Sequence, residues 1–307
     1  MKILVTGGAG FIASHIVDAY LQLGHDVSIL DNLSTGRKKN LNPRATFHET
    51  DLRDVDSVRD IFGEGRFDVV NHHAAQMDVR RSVADPVYDA SVNIIGVLTI
   101  LEAAVKTGVR RVLFASSGGA IYGEQDYFPA DERHPTRPIS PYGVSKLSTE
   151  AYLFYYRAVY GLASTCLRYA NVYGPRQNPE GEAGVVSIFT TKMLKGEQPL
   201  INGEGTQTRD YVFVRDVVRA NVLALEAKGS GVYNVGTGIE TDVNYLFREI
   251  KAATGSSCAE KHAEGKKGEQ MRSVLDHGKI RKELGWTPSV TIAEGLRLTV
   301  AAFRETR

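Results

Sequence analysis

Short apolar runs recur through the first half of the chain, with amphipathic stretches between them. KILVT at residues 2–6, DVSIL at 26–30, ATFHETD at 45–51, FDVVNHHA at 67–74, RRVLFASS at 110–117 and ASTCLRYANV at 163–172 are brief and rich in β-branched or continuous apolar residues. Strands covered on both faces read this way. Between the first two runs Ile12, Ile16, Ala19, Tyr20 and Leu23 return at helical spacing and stop at Gly24, a residue suited to ending a helix. Alternating strands and helices predict a parallel sheet with right-handed crossovers, a doubly wound α/β domain. From about residue 175 the pattern turns to helical segments separated by polar loops, with the Gly-rich stretches PLINGEGTQTRDY and GVYNVGTG between them. The expected division is a sheet domain over residues 1–175 and a smaller C-terminal α/β lobe over 176–307, part of 210–240 returning to the large sheet.

Composition narrows the partners. The chain has 307 residues, 42% hydrophobic and 24% charged, enough to bury a large core. Its formal charge of +1 argues against nucleic acid or an anionic membrane as the main partner, and the basic clusters at Arg37-Lys38-Lys39, Arg80-Arg81 and Lys266-Lys267 are short enough to be solvated faces. Two cysteines, Cys166 and Cys258, make neither a disulfide framework nor a thiolate metal site, which points to a reducing cytoplasm. A strand starting at once leaves no room for a signal peptide, and no apolar run approaches bilayer-spanning length.

The first chemical signal is TGGAGFIAS at residues 6–14, directly after the strand KILV and opening the first helix. Gly7 and Gly10 permit a tight turn and close approach of backbone to a pyrophosphate, whose charge is favoured by free amides at the helix start; Ala13, small, takes the third place of the spacing. Asp31 ends the second strand, where a carboxylate accepts from ribose hydroxyls and repels a 2′-phosphate, so NAD is expected rather than NADP. This makes the sheet domain Rossmann-type. Asp51, in ETDLRD, is placed either to reach adenine or to cap the following helix.

The second signal is SPYGVSK at residues 140–146. Ser140 and Pro141 start a helix, and Tyr142 and Lys146 then lie one turn apart on one face. An ammonium near a phenol favours the phenolate and pulls its pKa down from ~10. Alone the pair is a weak motif; its weight comes from following a strand that ends in ASSGGAIYG, residues 115–123, in a chain that already has a nucleotide turn.

Together with DNLSTG, HHAAQ, Asn93, RYANVYGPRQ, GEAGVV, TRDYVFVRDV, YNVGTG and LGWTP, these motifs resemble the extended short-chain dehydrogenase/reductases, and within them the UDP-glucose/UDP-galactose 4-epimerases, from Lys2 to about Arg304. The resemblance implies that Tyr142, kept near phenolate by Lys146 and the nicotinamide, takes the proton of the sugar 4-hydroxyl while hydride passes to tightly bound NAD. The resulting 4-keto sugar turns over and is reduced on its other face. It implies NAD contacts at Gly7, Gly10, Phe11, Ile12, Asp31, Asn32, Asp51, Leu52, Ala74, Ala75, Asn93, Tyr142, Lys146 and Tyr169. UDP-hexose contacts are implied at Asn171, Gly184, Val185, Val186, Leu200, Asn202 and Arg209, the last a guanidinium suited to pyrophosphate.

Departures from the family pattern matter as much. Met77 stands where many epimerases place a lysine near the cofactor. Lys266 to Glu269 replaces an Arg-Pro-Gly-Asp pattern, leaving Lys266 and Glu269 to hold phosphate and uridine ribose. Ser273 falls where side-chain bulk limits the sugar 2-substituent, so an N-acetylhexosamine could enter. The family hydroxyl that binds the sugar 4-oxygen falls at Gly118, so Ser117, or else Ser116, must supply it. The related 4,6-dehydratases carry an Asp-Glu pair where this chain has Gly119 and Ala120, which cannot move a proton. UDP-GlcNAc, UDP-glucuronate and net dehydrogenation or dehydration remain alternatives, as does a non-catalytic NAD sensor. His72 and His73 are expected to be structural, with no metal site. Tyr152, Phe154, Tyr155 and Tyr156 form an aromatic stripe on the Tyr142 helix, and the resemblance implies a homodimer built on it and the helix at about 90–106 across a two-fold.

Overall fold

The apolar runs become β1 (Lys2–Thr6), β2 (Asp26–Asp31), β3 (Thr46–Glu49), β4 (Val69–His72), β5 (Arg111–Ser117) and β6 (Ala163–Tyr169) of a computed structural model that describes residues 1–179, 184–265 and 270–305. After them come β7 (Asn171–Tyr173), β8 (Ile201–Asn202), β9 (Thr208–Phe213), β10 (Gly231–Val235), β11 (Glu240–Asp242), β12 (His262–Ala263) and β13 (Arg272–Ser273). The helices of the first half are α1 (Phe11–Gln22), α2 (Val55–Gly65), α3 (Val79–Ala84), α4 (Pro86–Ala90), α5 (Gly96–Thr107), α6 (Gly118–Ile121) and α7 (Pro141–Tyr160). Those of the second half are α8 (Val185–Leu194), α9 (Val214–Glu226), α10 (Val243–Thr254), α11 (Gly278–Leu284) and α12 (Ile292–Glu305).

Seven strands form one sheet in the order β10-β6-β5-β4-β1-β2-β3, with every pairing parallel. Chain order reverses between β1 and β4, which opens a crevice at the strands' C-terminal ends, where doubly wound folds bind ligands. Alternation along β1 shows why its apolar run is continuous. Ile3 and Val5 join Ile16, Tyr20 and Val217 on one face, whereas Leu4 joins Phe62, Ile100 and Leu153 on the other. Helices α1 and α9 thus cover one face, and α2, α5 and α7 the other.

The run 163–172 is not one strand. It breaks at Ala170, whose amide bonds Val235 O at 3.0 Å, and β7 leaves the large sheet to pair with β9. β10 comes back from the second half to pair with β6. The rest of that half packs around β9, which has β7 and β13 parallel to it and β11 antiparallel, with β8 and β12 as a separate pair. Phe189, Phe247, Leu246 and Val300 form its core.

The expectation that no apolar segment approaches bilayer-spanning length is corrected by the helices. Helical turns run unbroken from Pro86 to Thr107, 22 residues that are long and apolar enough by length and composition to cross a bilayer. The sequence reading missed this because Asp89 and Asn93 interrupt the apolar pattern; both are buried polar residues in the fold. One face of this helix, through Val97, Ile100, Leu101 and Ala104, packs into the core with Val58 and Phe62.

Candidate active site

A cleft of about 530 Å³ lies at the C-terminal ends of the strands and is lined by the β1–α1 turn, Asp31, Asp51, Ala74, Ala75, Ser117, Tyr142 and Lys146. The turn is built for backbone approach. Gly7 has φ +71°, and a Cβ there would stand 2.7 Å from Ala74 N, so no larger residue fits without moving β4. Gly10 caps α1 without a side-chain bond, leaving the positive end of a twelve-residue helix to face the cleft. Asp31 is buried and accepts from Ala9 N at 3.0 Å and Leu33 N at 2.8 Å. Burial pushes its carboxyl up, while those two amides pull it back.

Asp51 accepts from Asn32 Nδ2 at 2.9 Å and from Arg53 Nε and Nη2 at 2.9 and 2.8 Å, and the guanidinium holds it well below the usual carboxylate range. It is not a helix cap. Asp54 fills that place for α2, accepting from Ser57 N. Asn93 also departs from expectation: it sits behind the cleft wall, with Oδ1 accepting from Gln76 N at 2.9 Å and Nδ2 donating to Gln76 O at 2.8 Å and to Asp89 at 3.0 Å. Its amide is spent fixing the segment after Ala75. Phe11, Ile12, Asn32, Leu52 and Tyr169 do line the cleft.

On the opposite wall α7 begins as expected, Ser140 accepting from Gly143 N with Pro141 following it. Lys146 is buried, donates to Ala115 O at 2.9 Å, and has its Nζ 5.6 Å from the Tyr142 ring centroid. Burial lowers the lysine to about 8, opposed by Asp89 and Glu150. Tyr142 faces the cleft, yet burial pushes its phenol up, with Asp89 adding to the rise. The sequence expectation of a phenol already drawn toward neutrality is therefore corrected for the protein alone. The ammonium is bonded to the Ala115 carbonyl, and burial is the larger influence on the phenol.

The two serines have separate fates. Ser116 also borders the cleft, but its Oγ gives its one proton to buried Glu150 Oε1 at 2.6 Å. Ser117 lines the cleft, and its side chain caps no amide of α6. A Cβ on Gly118 would lie 2.5 Å from Leu275 Cδ1, so a side chain there would require the Leu275 side chain to move. A Cβ on Gly119 would meet Asn171 Oδ1 at 3.6 Å.

The residues expected at UDP are less tightly gathered. Gly184 lines the cleft beside Gln177 and Asn178 and precedes α8, of which Val185 is half-buried and Val186 buried. Asn171 begins β7. Leu200, Asn202 and Arg209 lie beyond the cleft, in or beside β8 and β9, and Arg209 donates to Thr208 O at 2.8 Å. Ser273 is buried, in register with Arg209. Lys266 and Glu269 fall outside the described residues. Met77 is exposed at the cleft edge.

His72 Nδ1 and Thr6 Oγ1 share a hydrogen bond at 2.8 Å, and His73 Nε2 and the Tyr169 hydroxyl one at 3.1 Å. Burial, then Lys146, lowers both imidazoles to about 3, so they are neutral. Among the described residues no group of three His, Cys, Asp or Glu could hold a metal.

A family model described as the NAD dependent epimerase/dehydratase family matches residues 3–236. The chain belongs to that family. Among the similar members, the UDP-glucose 4-epimerase of Thermotoga maritima, solved with UDP-glucose, is 51% identical at a TM-score of 0.98, covering 100% of this chain and 99% of that one. The Thermus thermophilus UDP-glucose 4-epimerase, solved with NAD, is 46% identical at a TM-score of 0.95, with 100% of both chains covered. The Mycolicibacterium smegmatis UDP-glucose 4-epimerase is 45% identical over 310 residues, 99% of each.

In this epimerase/dehydratase family member the sequence reading missed two buried polar centres next to the cleft. Asp89 accepts from Gln76, Asn93 and Ser145. Glu150 pairs with Arg168 at 2.6 Å. The available signal was spacing: Glu150 continues the helical face of Tyr142 and Lys146 by one more turn, and Arg168 is a lone charge inside an apolar strand.

Proposed function

We propose that this protein is a UDP-glucose 4-epimerase, interconverting UDP-glucose and UDP-galactose with tightly bound NAD. One observation carries the reading: the glycine turn of β1–α1 and the Tyr142, Lys146 and Ser117 side chains line a single cleft. The similar proteins are named for that activity. NAD fits the cleft, because Gly7 and Gly10 line it, the start of α1 carries no side-chain cap, and buried Asp31 stands at the end of β2. In this reading the Phe11 and Ile12 end of α1 faces pyrophosphate, Asp31 holds the ribose hydroxyls, and Asn32, Asp51 and Leu52 border adenine. Ala74, Ala75 and Tyr169 bound the rest of the dinucleotide, while Asn93 acts behind them on Gln76.

Bound NAD supplies reversible hydride transfer at the sugar C4. Tyr142 removes the 4-hydroxyl proton and later returns it to the inverted carbon's oxygen. Its raised phenol needs positive charge to act as a base; Lys146 provides part, and the oxidised nicotinamide the remainder. Ser117 donates to the sugar 4-oxygen. Asn171, Gly184, Val185, Val186, Leu200, Asn202 and Arg209 grip UDP, with Lys266 and Glu269 completing the grip, so that the hexose alone turns. Gly119 and Ala120 supply no acid or base for removing water, which disfavours a dehydratase.

The protein works as a homodimer in the cytoplasm. Phe154, Tyr155 and Val159 are exposed along α7, next to exposed Val87 and Ile95 on the neighbouring helix, an apolar face suited to a second copy. Cys166 and Cys258 are both unpaired. Purified protein incubated separately with UDP-galactose, UDP-GlcNAc and UDP-glucuronate, with C4 configuration scored by NMR, tests the reading. UDP-galactose should convert to UDP-glucose without net NADH; no inversion of any of the three would defeat it.

A further inference from the structure

The Gly118-Gly119 pair leaves the segment bearing Ser117 with little of its own stiffness, yet a group that binds a reacting oxygen must be held within a fraction of an ångström. What holds it is legible in the buried bonds. Helix α7 presents Tyr142, Lys146 and Glu150 on successive turns of one face, and the last residues of β5 meet that face one by one. Ala115 accepts from Lys146 Nζ at 2.9 Å, and Ser116 donates to Glu150 Oε1 at 2.6 Å. Ser116 and Ser117 both border the cleft, and anchoring the Ser116 side chain on Glu150 fixes the backbone from which the Ser117 hydroxyl is presented.

Glu150 is itself fixed. Arg168, opposite Ser116 in the sheet, forks onto both its oxygens, Nε to Oε1 at 3.0 Å and Nη2 to Oε2 at 2.6 Å. The third arm of the guanidinium donates to the Tyr122 hydroxyl at 2.9 Å, and Tyr122 donates to Asn234 Oδ1 at 2.8 Å. Both ends of the glycine segment, Ser116 and Tyr122, are therefore tied to one ion pair whose side chains are each 7% exposed. Burying such a pair costs desolvation that well-packed apolar residues would avoid, so stability alone does not account for it.

We propose that Glu150, clamped by Arg168, is a positioning residue for the reaction: it aligns Ser117 through Ser116 and places a negative charge one turn beyond Lys146 that favours the charged amine. This rests on the reading that Ser117, Tyr142 and Lys146 do the chemistry. The groups facing Lys146 are Tyr142 and Glu150 from its own helix, Asp89 from α4, and the neutral His72 and His73 at and just after the end of β4. Asp89 and Glu150 are the two that oppose the effect of burial on the lysine.

The test measures kcat and KM for UDP-galactose across pH, together with the Lys146 titration read by NMR of ¹³Cε-labelled lysine, which needs no turnover. Ser116→Ala should lower kcat about tenfold with KM unchanged, since only alignment is lost. Glu150→Gln should move the Lys146 midpoint, and with it the alkaline limb of kcat, down by about one pH unit. If Glu150→Gln does not fold because Arg168 is left unpaired, the double variant Glu150→Met/Arg168→Met should move the midpoint in the same direction by a smaller amount, because the Arg168 cation leaves with the carboxylate. A wild-type kcat in Ser116→Ala, or an unmoved lysine midpoint in whichever Glu150 variant folds, overturns the proposal. If the wild-type protein inverts no UDP-sugar, the functional reading fails separately, and the NMR midpoint still decides whether Glu150 acts on Lys146.

Discussion

Replacing Ser117 by alanine isolates one hydroxyl at the cleft. The neighbours on the strand cannot substitute for it. Ser116 is spent on Glu150 at 2.6 Å, and Gly118 has no side chain, a Cβ there meeting Leu275 at 2.5 Å. Removing a preorganised donor to a developing oxyanion costs about 10² to 10³ in kcat, or about 2.7 to 4 kcal/mol of transition-state stabilisation. The Ser117 hydroxyl caps no helix amide, so the fold should change by less than about 0.5 kcal/mol, and unfolding cannot account for the loss. With UDP held by other residues, as proposed, KM for UDP-galactose should stay within about twofold, because the lost bond strengthens mainly in the transition state. The assay couples UDP-glucose formation from UDP-galactose to UDP-glucose dehydrogenase, with the thermal midpoint measured in parallel. A variant with wild-type kcat and an unchanged midpoint refutes the assignment of Ser117.

Other outcomes follow from the same geometry. Tyr142→Phe removes the proton acceptor and should lower kcat by about 10² to 10⁴ with copurified NAD content unchanged, measured after acid release of the nucleotide. Lys146 is lowered to about 8, so it is charged below that pH and loses its charge above it; kcat at saturating substrate should fall as pH rises through about 8, and a profile that stays flat well above that pH would contradict the role of the ammonium. Gly7→Ala combines φ +71° with a Cβ placed 2.7 Å from Ala74 N. It should destabilise the protein by about 1 to 3 kcal/mol and abolish NAD retention, as read by calorimetry and nucleotide content.

The large sheet is readable because its central strands β1, β4, β5 and β6 are buried on both faces and keep largely apolar runs, and because α1 and α7 carry their own start and stop residues. What escaped lies where tertiary bonds override local pattern. The run ASTCLRYANV gives no local sign of the break at Ala170, which depends on the Val235 carbonyl of a strand much later in the chain. β7, β8, β11, β12 and β13 are each two or three residues long, too short for any period to show. Of the site, the glycine turn, Asp31 and the Tyr142–Lys146 pair were legible as motifs, whereas the choice between Ser116 and Ser117 turns on Glu150, a partner 34 positions from Ser116. Asn93 bonds Gln76 and Asp89, partners that no local pattern announces. The phenol of Tyr142 was expected to be lowered by Lys146; burial, which sequence does not display, raises it instead.

One cleft, in the proposed reading, holds NAD and a tyrosine base acting on a sugar 4-hydroxyl. The most direct test is NMR of UDP-galactose incubated with the purified protein and with Tyr142→Phe at equal concentration. The wild type should invert the galactose C4 to give UDP-glucose with no accumulation of NADH, and the variant should lose nearly all of that conversion. Equal conversion by both proteins, or stoichiometric NADH with no change of configuration at C4, would contradict it.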